Sequence, residues 1–235
     1  MRTILISGAS RGIGKSIALR ALKDGHRISL GLRNIDDVKG SNLDPNISGS
    51  HRVLLNQYEA NDPKQAKEWV SSTLDHFKEF DSLINCAGIF HRTKFLFSEE
   101  EEKEIEELWK VNVMAPWQLT KEAWKHISQN GRGRVIFLVS LSGKRSKGNL
   151  AGYSMSKFAL MGLCQTIRNE GWDKGIRVTA ICPSWVNTDM AANITTISKE
   201  NMTQPNDIAS ISSNLLTLPN TCIPFEIAVN CNLET

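Results

Sequence analysis

The chain has 235 residues, with 28 Lys and Arg against 25 Asp and Glu for a formal charge of +3, and it is 40% hydrophobic and 23% charged. That leaves room for one α/β domain with its own core, and it excludes a disordered chain or a small scaffold needing metal or disulfide staples. No long block of positive charge would track a phosphate backbone and no run approaches the roughly 18 apolar residues of a membrane span, so neither nucleic acid nor a bilayer is an expected partner.

Short apolar runs bounded by turn residues recur along the chain. They are too short for helices and too continuously apolar for strands with one wet face, so they read as strands covered on both sides. The first, Thr3 to Ser7, enters Gly8-Ala9-Ser10-Arg11-Gly12-Ile13-Gly14-Lys15 directly, and residues 13 to 24 then carry a helical pattern that stops at Gly25. The apolar run at the N-terminus is too short for a secretory signal, and a cytoplasmic protein is expected. A strand turning sharply into a helix start suits a dinucleotide pyrophosphate. Glycines let the backbone approach without a Cβ in the way, and the helix aims its free N–H groups at the anion. The spacing is Gly-x-x-x-Gly-x-Gly, and the strand before it and the helix after it favour cofactor binding over an ordinary tight turn. Gly8, Ser10, Arg11, Gly12, Ile13 and Gly14 are the candidate contacts.

The second strand, Arg27 to Leu32, ends at Arg33, with no carboxylate until Asp36. An acid at this place would bind an adenosine ribose hydroxyl, whereas a cation suits a 2′-phosphate. Arg33 and the loop's Arg11 together favour NADP(H) over NAD(H), since two guanidiniums around one phosphate make a charge-assisted site. A strand at Arg52 to Gln57, a helix over 62 to 78 opened by Asp62-Pro63, and a strand at Ser82 to Asn85 follow. Helical pattern then covers 98 to 129, beginning with seven carboxylates in the nine positions after Ser98. Ser98 and Glu101 are spaced as a capping box, so this run reads as a solvated helix start, not a cation site.

The fifth strand, Arg134 to Ser140, leads to Ser142 and Gly143, and the helix over 151 to 170, ended by Gly171, carries Tyr153 and Lys157. Four residues apart on a helix, the two share a face, so the ammonium can stabilise a phenolate and lower a phenol pKa that is ordinarily near 10. Tyr153 could then exchange a proton with a substrate oxygen as general acid or base while Ser140, at a strand's carboxyl end, hydrogen-bonds the same oxygen. Strands at Arg177 to Cys182 and Glu226 to Asn230, with a helix over 205 to 217 opened by Gln204-Pro205, complete the series. Alternation of this kind predicts a single α/β domain over 1–235, a doubly wound (Rossmann) parallel sheet of about seven strands with helices on both faces. The five cysteines show no metal-ligand spacing and are expected reduced and mostly buried, and no metal is expected.

Taken together, the sequence resembles the single-domain form of the short-chain dehydrogenases/reductases over essentially its whole length. Gly8, Gly12 and Gly14 match the family's glycine loop. Asn85-Cys86-Ala87-Gly88 matches its Asn-x-Ala-Gly element, which by the resemblance supports the central sheet and borders the cofactor through Asn85, Ala87 and Gly88, and Glu59 falls where the family carries an aspartate beside the adenine. Ser140, Tyr153 and Lys157 match the catalytic set, Ser140 being preferred over Ser142 because thirteen residues then separate serine from tyrosine. The resemblance implies that Asn112 holds a water in the proton relay, that Lys157 binds the nicotinamide ribose, and that the pro-S hydride moves between the nicotinamide and a carbonyl or alcohol carbon. Pro183-Ser184-Trp185-Val186-Asn187-Thr188 resembles the Pro-Gly element, whose positions at Pro183, Val186 and Thr188 border the nicotinamide; Ser184 departs from it by replacing the glycine.

By the same resemblance, residues 188–204 form a lid over substrate, Ser142 and Trp185 are substrate contacts, and the chain assembles as a homodimer or homotetramer. The lid's few bulky apolar residues point to a small or polar carbonyl or alcohol. His91 and Arg92 either face the cleft or lie in solvent. The competing reading is a non-catalytic NADP(H)-binding regulatory module of the same fold; a third is related chemistry such as enoyl reduction or epimerisation.

Overall fold

A computed structural model describes residues 1–231. Of the domain expected over 1–235, the last four residues lie outside the described range. The strands are β1 (Thr3–Ser7), β2 (Arg27–Leu32), β3 (Val53–Gln57), β4 (Ser82–Asn85), β5 (Arg134–Leu138), β6 (Arg177–Pro183) and β7 (Glu226–Val229). They form one seven-stranded sheet in the order β3-β2-β1-β4-β5-β6-β7, every pair parallel. Each expected strand is present, with ends moved by one or two residues at most.

Helices α1 (Gly12–Lys23), α2 (Pro45–Ser48), α3 (Pro63–Phe77), α4 (Glu99–Trp109), α5 (Ala115–Ile127), α6 (Ala151–Gly171) and α7 (Pro205–Thr217) cover the sheet. The alternation of strand side chains decides which face each one packs on. Ile4 and Ile6 join Ile17 of α1 and Ile208 of α7 in one layer, while Leu5 between them joins Trp69 of α3, Leu119 of α5 and Ile167 of α6 in the other. All of these are buried, each contributing about 2 kcal/mol of apolar transfer. Among the described residues no helix is long and apolar enough to cross a membrane.

The helix ends follow their local chemistry. Asp62 accepts from the Lys64 N–H at 2.9 Å ahead of Pro63, and Ser98 and Glu101 exchange the two bonds of a capping box. One expected helix needs correction. The helical pattern over 98 to 129 is interrupted by a π-helical turn at Lys110–Met114, which periodicity cannot register because it inserts one residue without changing composition. The α-helix ends at Gly171 as expected, but not through a left-handed glycine: Gly171 has φ −95°, a 3₁₀ turn follows at Trp172–Lys174, and the left-handed residue is Gly175 at φ 73°. Gly171 is small because a Cβ there would stand 2.9 Å from Ile176 and 3.0 Å from Trp124. Of the cysteines only Cys164 and Cys182 are fully buried; Cys86 and Cys231 are half-buried and Cys222 is exposed.

Candidate active site

A parallel sheet places its ligand crevice beyond the strands' carboxyl ends, where the strand order reverses. Here that point is β1, flanked by β2 and β4. Above it opens a cavity of about 440 Å³ whose wall includes the glycine loop, the ends of β2 to β6 and the start of α6.

The glycine loop is shaped by close approach. Gly8 sits at φ 68°, and a Cβ on it would stand 2.8 Å from the Ala87 backbone; a Cβ on Gly14 would meet the Gly8 carbonyl carbon at 2.8 Å. Only glycines let β1, the segment after β4 and the first turn of α1 meet this tightly. Arg11, the N-cap of α1, makes no side-chain cap, and the first turn contains no acid. No side chain therefore takes the first-turn N–H groups, which can receive a pyrophosphate, so these residues fit a dinucleotide.

Gly8, Ser10, Arg11, Gly12, Ile13 and Gly14 all line the cavity, as do Arg33 after β2 and Glu59 after β3. Both arginines are exposed, and Arg11 forms an ion pair with Asp189 at 3.4 Å. The element after β4 divides in two. Ala87 and Gly88 line the cavity, whereas Asn85, expected as a cofactor contact, is buried and donates to Thr120 Oγ1 at 3.1 Å on α5. Asn85 thus fastens the sheet to a helix and does not border the cavity.

Asn112 lies in the π-helical turn, 1% exposed and outside the cavity wall. Its Oδ1 accepts from the Ile89 N–H at 2.9 Å, and its Nδ2 donates to the Ile89 carbonyl at 3.0 Å and to Ser156 Oγ at 3.1 Å. The side chain, expected in a proton relay, instead pins the segment after β4 against α6.

Ser140 and Tyr153 line the same part of the cavity, and the Ser142 N–H donates to Ser140 Oγ at 3.0 Å. Ser140 thus has the backbone of Ser142 as its support. Lys157 Nζ lies 5.7 Å from the centre of the Tyr153 ring and donates to the Leu138 carbonyl at 3.1 Å.

The electrostatics run opposite to the sequence expectation for tyrosine. Burial pushes the Tyr153 phenol up to about 12, the Ser140 hydroxyl pulling the other way, and burial brings the Lys157 ammonium down to about 8. Desolvation outweighs the lysine charge because both groups are enclosed and the ammonium is turned to a carbonyl. A phenol so placed is protonated at neutral pH, the state of a general acid.

Pro183, Ser184, Trp185, Val186 and Thr188 line the wall after β6. Ser184 has an ordinary backbone, since the only described non-glycine residues with positive φ are Lys78 and Asn149, and its N–H donates to the Val229 carbonyl at 2.8 Å. Serine therefore continues the ladder to β7 where the family carries glycine. The segment beyond is closed at its base: Asn187 N–H donates to the Thr203 carbonyl at 2.9 Å, and Thr203 N–H donates to the Trp185 carbonyl at 3.2 Å.

Sequence reasoning missed Phe90, which packs edge-on to both Tyr153 (4.9 Å between ring centres) and Trp185 (6.0 Å). It also missed Glu107, Arg145 and Lys147, which line the cavity. The acidic run is only partly a solvated helix start: Glu104 and Glu107 each stand 3.4 Å from a ring nitrogen of His91, while Arg92 lies over the Phe90 ring at 5.9 Å. His91 thus turns to α4 and Arg92 to the aromatic wall.

A family model described as short chain dehydrogenase matches residues 2–199. The chain is 36% identical to an agropine synthesis reductase of Rhizobium rhizogenes over 99% of its own length and 53% of that protein's, so it spans about half of that relative. It is 29% identical to the oxidoreductase UcpA of Salmonella typhimurium over 96% of this chain and 84% of the other. Among solved structures, an alcohol dehydrogenase from the archaeon Thermococcus sibiricus complexed with 5-hydroxy-NADP superposes with a TM-score of 0.84 at 25% identity, covering 97% of this chain and 96% of that one.

Proposed function

The chain belongs to the short-chain dehydrogenase family, and on that footing we propose that it is an NADP(H)-dependent oxidoreductase interconverting a carbonyl and an alcohol. The observation that carries this reading is the Ser140–Tyr153–Lys157 cluster, its tyrosine and lysine buried, on the wall of the cavity that begins at the glycine loop. When bound, the nicotinamide supplies or accepts the hydride. Gly8, Ser10, Gly12, Ile13 and Gly14 would hold its pyrophosphate against the start of α1, with Glu59, Ala87 and Gly88 along the adenosine side and Pro183, Val186 and Thr188 beside the nicotinamide.

Arg11 and Arg33 support NADP(H), and so does the related alcohol dehydrogenase, whose complex contains 5-hydroxy-NADP. The protonated phenol of Tyr153 donates to the carbonyl oxygen in reduction and recovers the proton in oxidation. Ser140 holds the same oxygen, Lys157 anchors the far side of the cluster, and Asn112 keeps α4, α6 and the segment after β4 in register. Ser142 and Trp185 flank the substrate, and residues 188–204 close over it. The exposed Trp109, Trp117, Met155 and Phe158 on α4, α5 and α6 support assembly with a second copy, a homodimer or homotetramer. A single-chain mass by light scattering at micromolar concentration would refute that assembly.

The test is a panel of ketones and aldehydes added to the purified chain with NADPH, followed by nicotinamide absorbance. Consumption of NADPH by one or more carbonyls is expected. Tight NADPH binding with no consumption across the panel would favour a cofactor-binding regulatory module instead.

A further inference from the structure

The substrate end of the cavity carries a charge pattern that cofactor binding leaves unused. Between Ser140 and α6 the chain runs through Lys144-Arg145-Ser146-Lys147, three cations in four positions, of which Arg145 and Lys147 line the cavity six to eight residues before Tyr153. They stand at the end of β5, three strand positions from β2 and Arg33, a separation of about 14 Å at the usual strand spacing. One phosphate on the adenosine ribose would not occupy both places.

Two carboxylates of the cavity wall stand beside basic side chains. Asp189 pairs with Arg11 at 3.4 Å, and Glu107 faces His91 at 3.4 Å. Lys144 is tied to Glu226, while the Lys147 ammonium makes no ion pair among the described residues. Phe90, Leu150 and Trp185 supply apolar wall close by, which concentrates the field of the loop's cations. Arg145 and Lys147, both exposed, make a positive rim on the wall that also carries the proton donor.

We propose that this loop selects carbonyl substrates bearing an oxyanion, a carboxylate or a phosphate, held by Arg145 and Lys147 while Tyr153 and Ser140 hold the carbonyl oxygen. The inference rests on the carbonyl–alcohol reading above and specifies its substrate class. Two anchors at opposite ends of a small molecule fix which face of the carbonyl is presented, whereas one hydrogen-bonded oxygen leaves it free to turn. Guanidinium and ammonium donors make charge-assisted bonds to either anion, Arg145 able to do so through two parallel N–H groups.

The test reads binding, by calorimetry on the NADP⁺-loaded protein, with matched pairs: 4-oxopentanoate against its methyl ester, and dihydroxyacetone phosphate against dihydroxyacetone. The anionic member of at least one pair is expected to bind about ten-fold more tightly, as one charge-assisted hydrogen bond provides. That preference should shrink in Lys147→Gln and Arg145→Gln and with rising salt. The pair with the larger preference identifies the anion. Equal affinities within both pairs, no binding by either anion, or a preference unchanged in both variants would each overturn the proposal. A charge preference without any NADPH consumption would refute the reductase reading and leave the anion site standing. Turnover of neutral ketones with no charge preference would do the reverse.

Discussion

The two ends of the sheet use arginine in opposite ways. At the N-terminal edge Arg134, 2% exposed, donates to the carbonyls of Gly133, Leu215 and Leu218 and to Asn220 Oδ1. Beside it Arg2 donates to the carbonyls of Leu216 and Arg132 and, with Arg132, pairs with the buried Asp81 at 3.3 and 2.8 Å. These guanidiniums stabilise the C-terminal turn of α7, where cations are favoured. At the C-terminal edge Arg33 is exposed over the cavity and Arg11, its side chain 67% exposed, pairs among the described residues with the exposed Asp189. The same side chain is structural where the chain's own carbonyls surround it and available to a ligand where they do not. In a parallel sheet the two cases can be told apart by place: Arg134 opens its strand, and Arg33 follows the end of its own.

Substitutions at the two edges should therefore separate catalysis from stability. The largest effect is expected from Tyr153→Phe, which removes the proton donor and lowers kcat about 10³-fold, with the NADPH dissociation constant by fluorescence titration within about twofold of the parent. Retention of a tenth of the turnover would place the donor elsewhere. Next comes the double change Arg11→Ala with Arg33→Ala, expected to lower the NADPH-to-NADH ratio of kcat/KM about 100-fold through loss of two charge-assisted contacts, without moving the denaturation midpoint. Its counterpart at the other edge, Arg134→Met, should cost about 3 kcal/mol by urea unfolding, because buried carbonyls are left unpaired. That variant should keep the parent's cofactor ratio, and a changed ratio would show that the edges are coupled.

A smaller effect follows from pH. The Lys157 ammonium, lowered to about 8 by burial, is charged below that value and loses its proton as pH rises through it, while the Tyr153 phenol at about 12 stays protonated. Reductive kcat should fall about ten-fold between pH 7 and 9 as the cation disappears; a flat profile to pH 9 would mean that the charge of Lys157 is not needed. The smallest effect is expected for Ser184→Gly, within about twofold in kcat/KM, since the serine already adopts an ordinary backbone. A gain beyond ten-fold would show that the serine side chain obstructs the cavity.

The strands were legible because burial on both faces writes a continuous apolar run, as in Thr3–Ser7 and Arg177–Pro183, and the glycine loop because close approach permits no other residue at Gly8 or Gly14. Tyr153 and Lys157 were legible from helical spacing. Hidden were features that depend on packing between distant segments: the π-helical turn at Lys110–Met114, the contact of Phe90 with Tyr153 and Trp185, and the turn of His91 to Glu104 and Glu107. The Tyr153 phenol shows the same limit in its electrostatics. Spacing put an ammonium near it, but how deeply both groups are enclosed, which reverses the sign of the shift, belongs to the assembled fold.

The pair of backbone bonds that ties Trp185 and Asn187 to Thr203 makes the stretch between them a module with fixed ends. Closure of a loop whose base is already pinned depends only weakly on its length, each doubling costing about 0.6 kcal/mol. The mostly exposed stretch from Ala192 to Asn201 can therefore be lengthened or shortened while β6, Val186, Thr188 and the start of α7 keep their places. Changes of length there would fall on the rim of the cavity and cost the scaffold little.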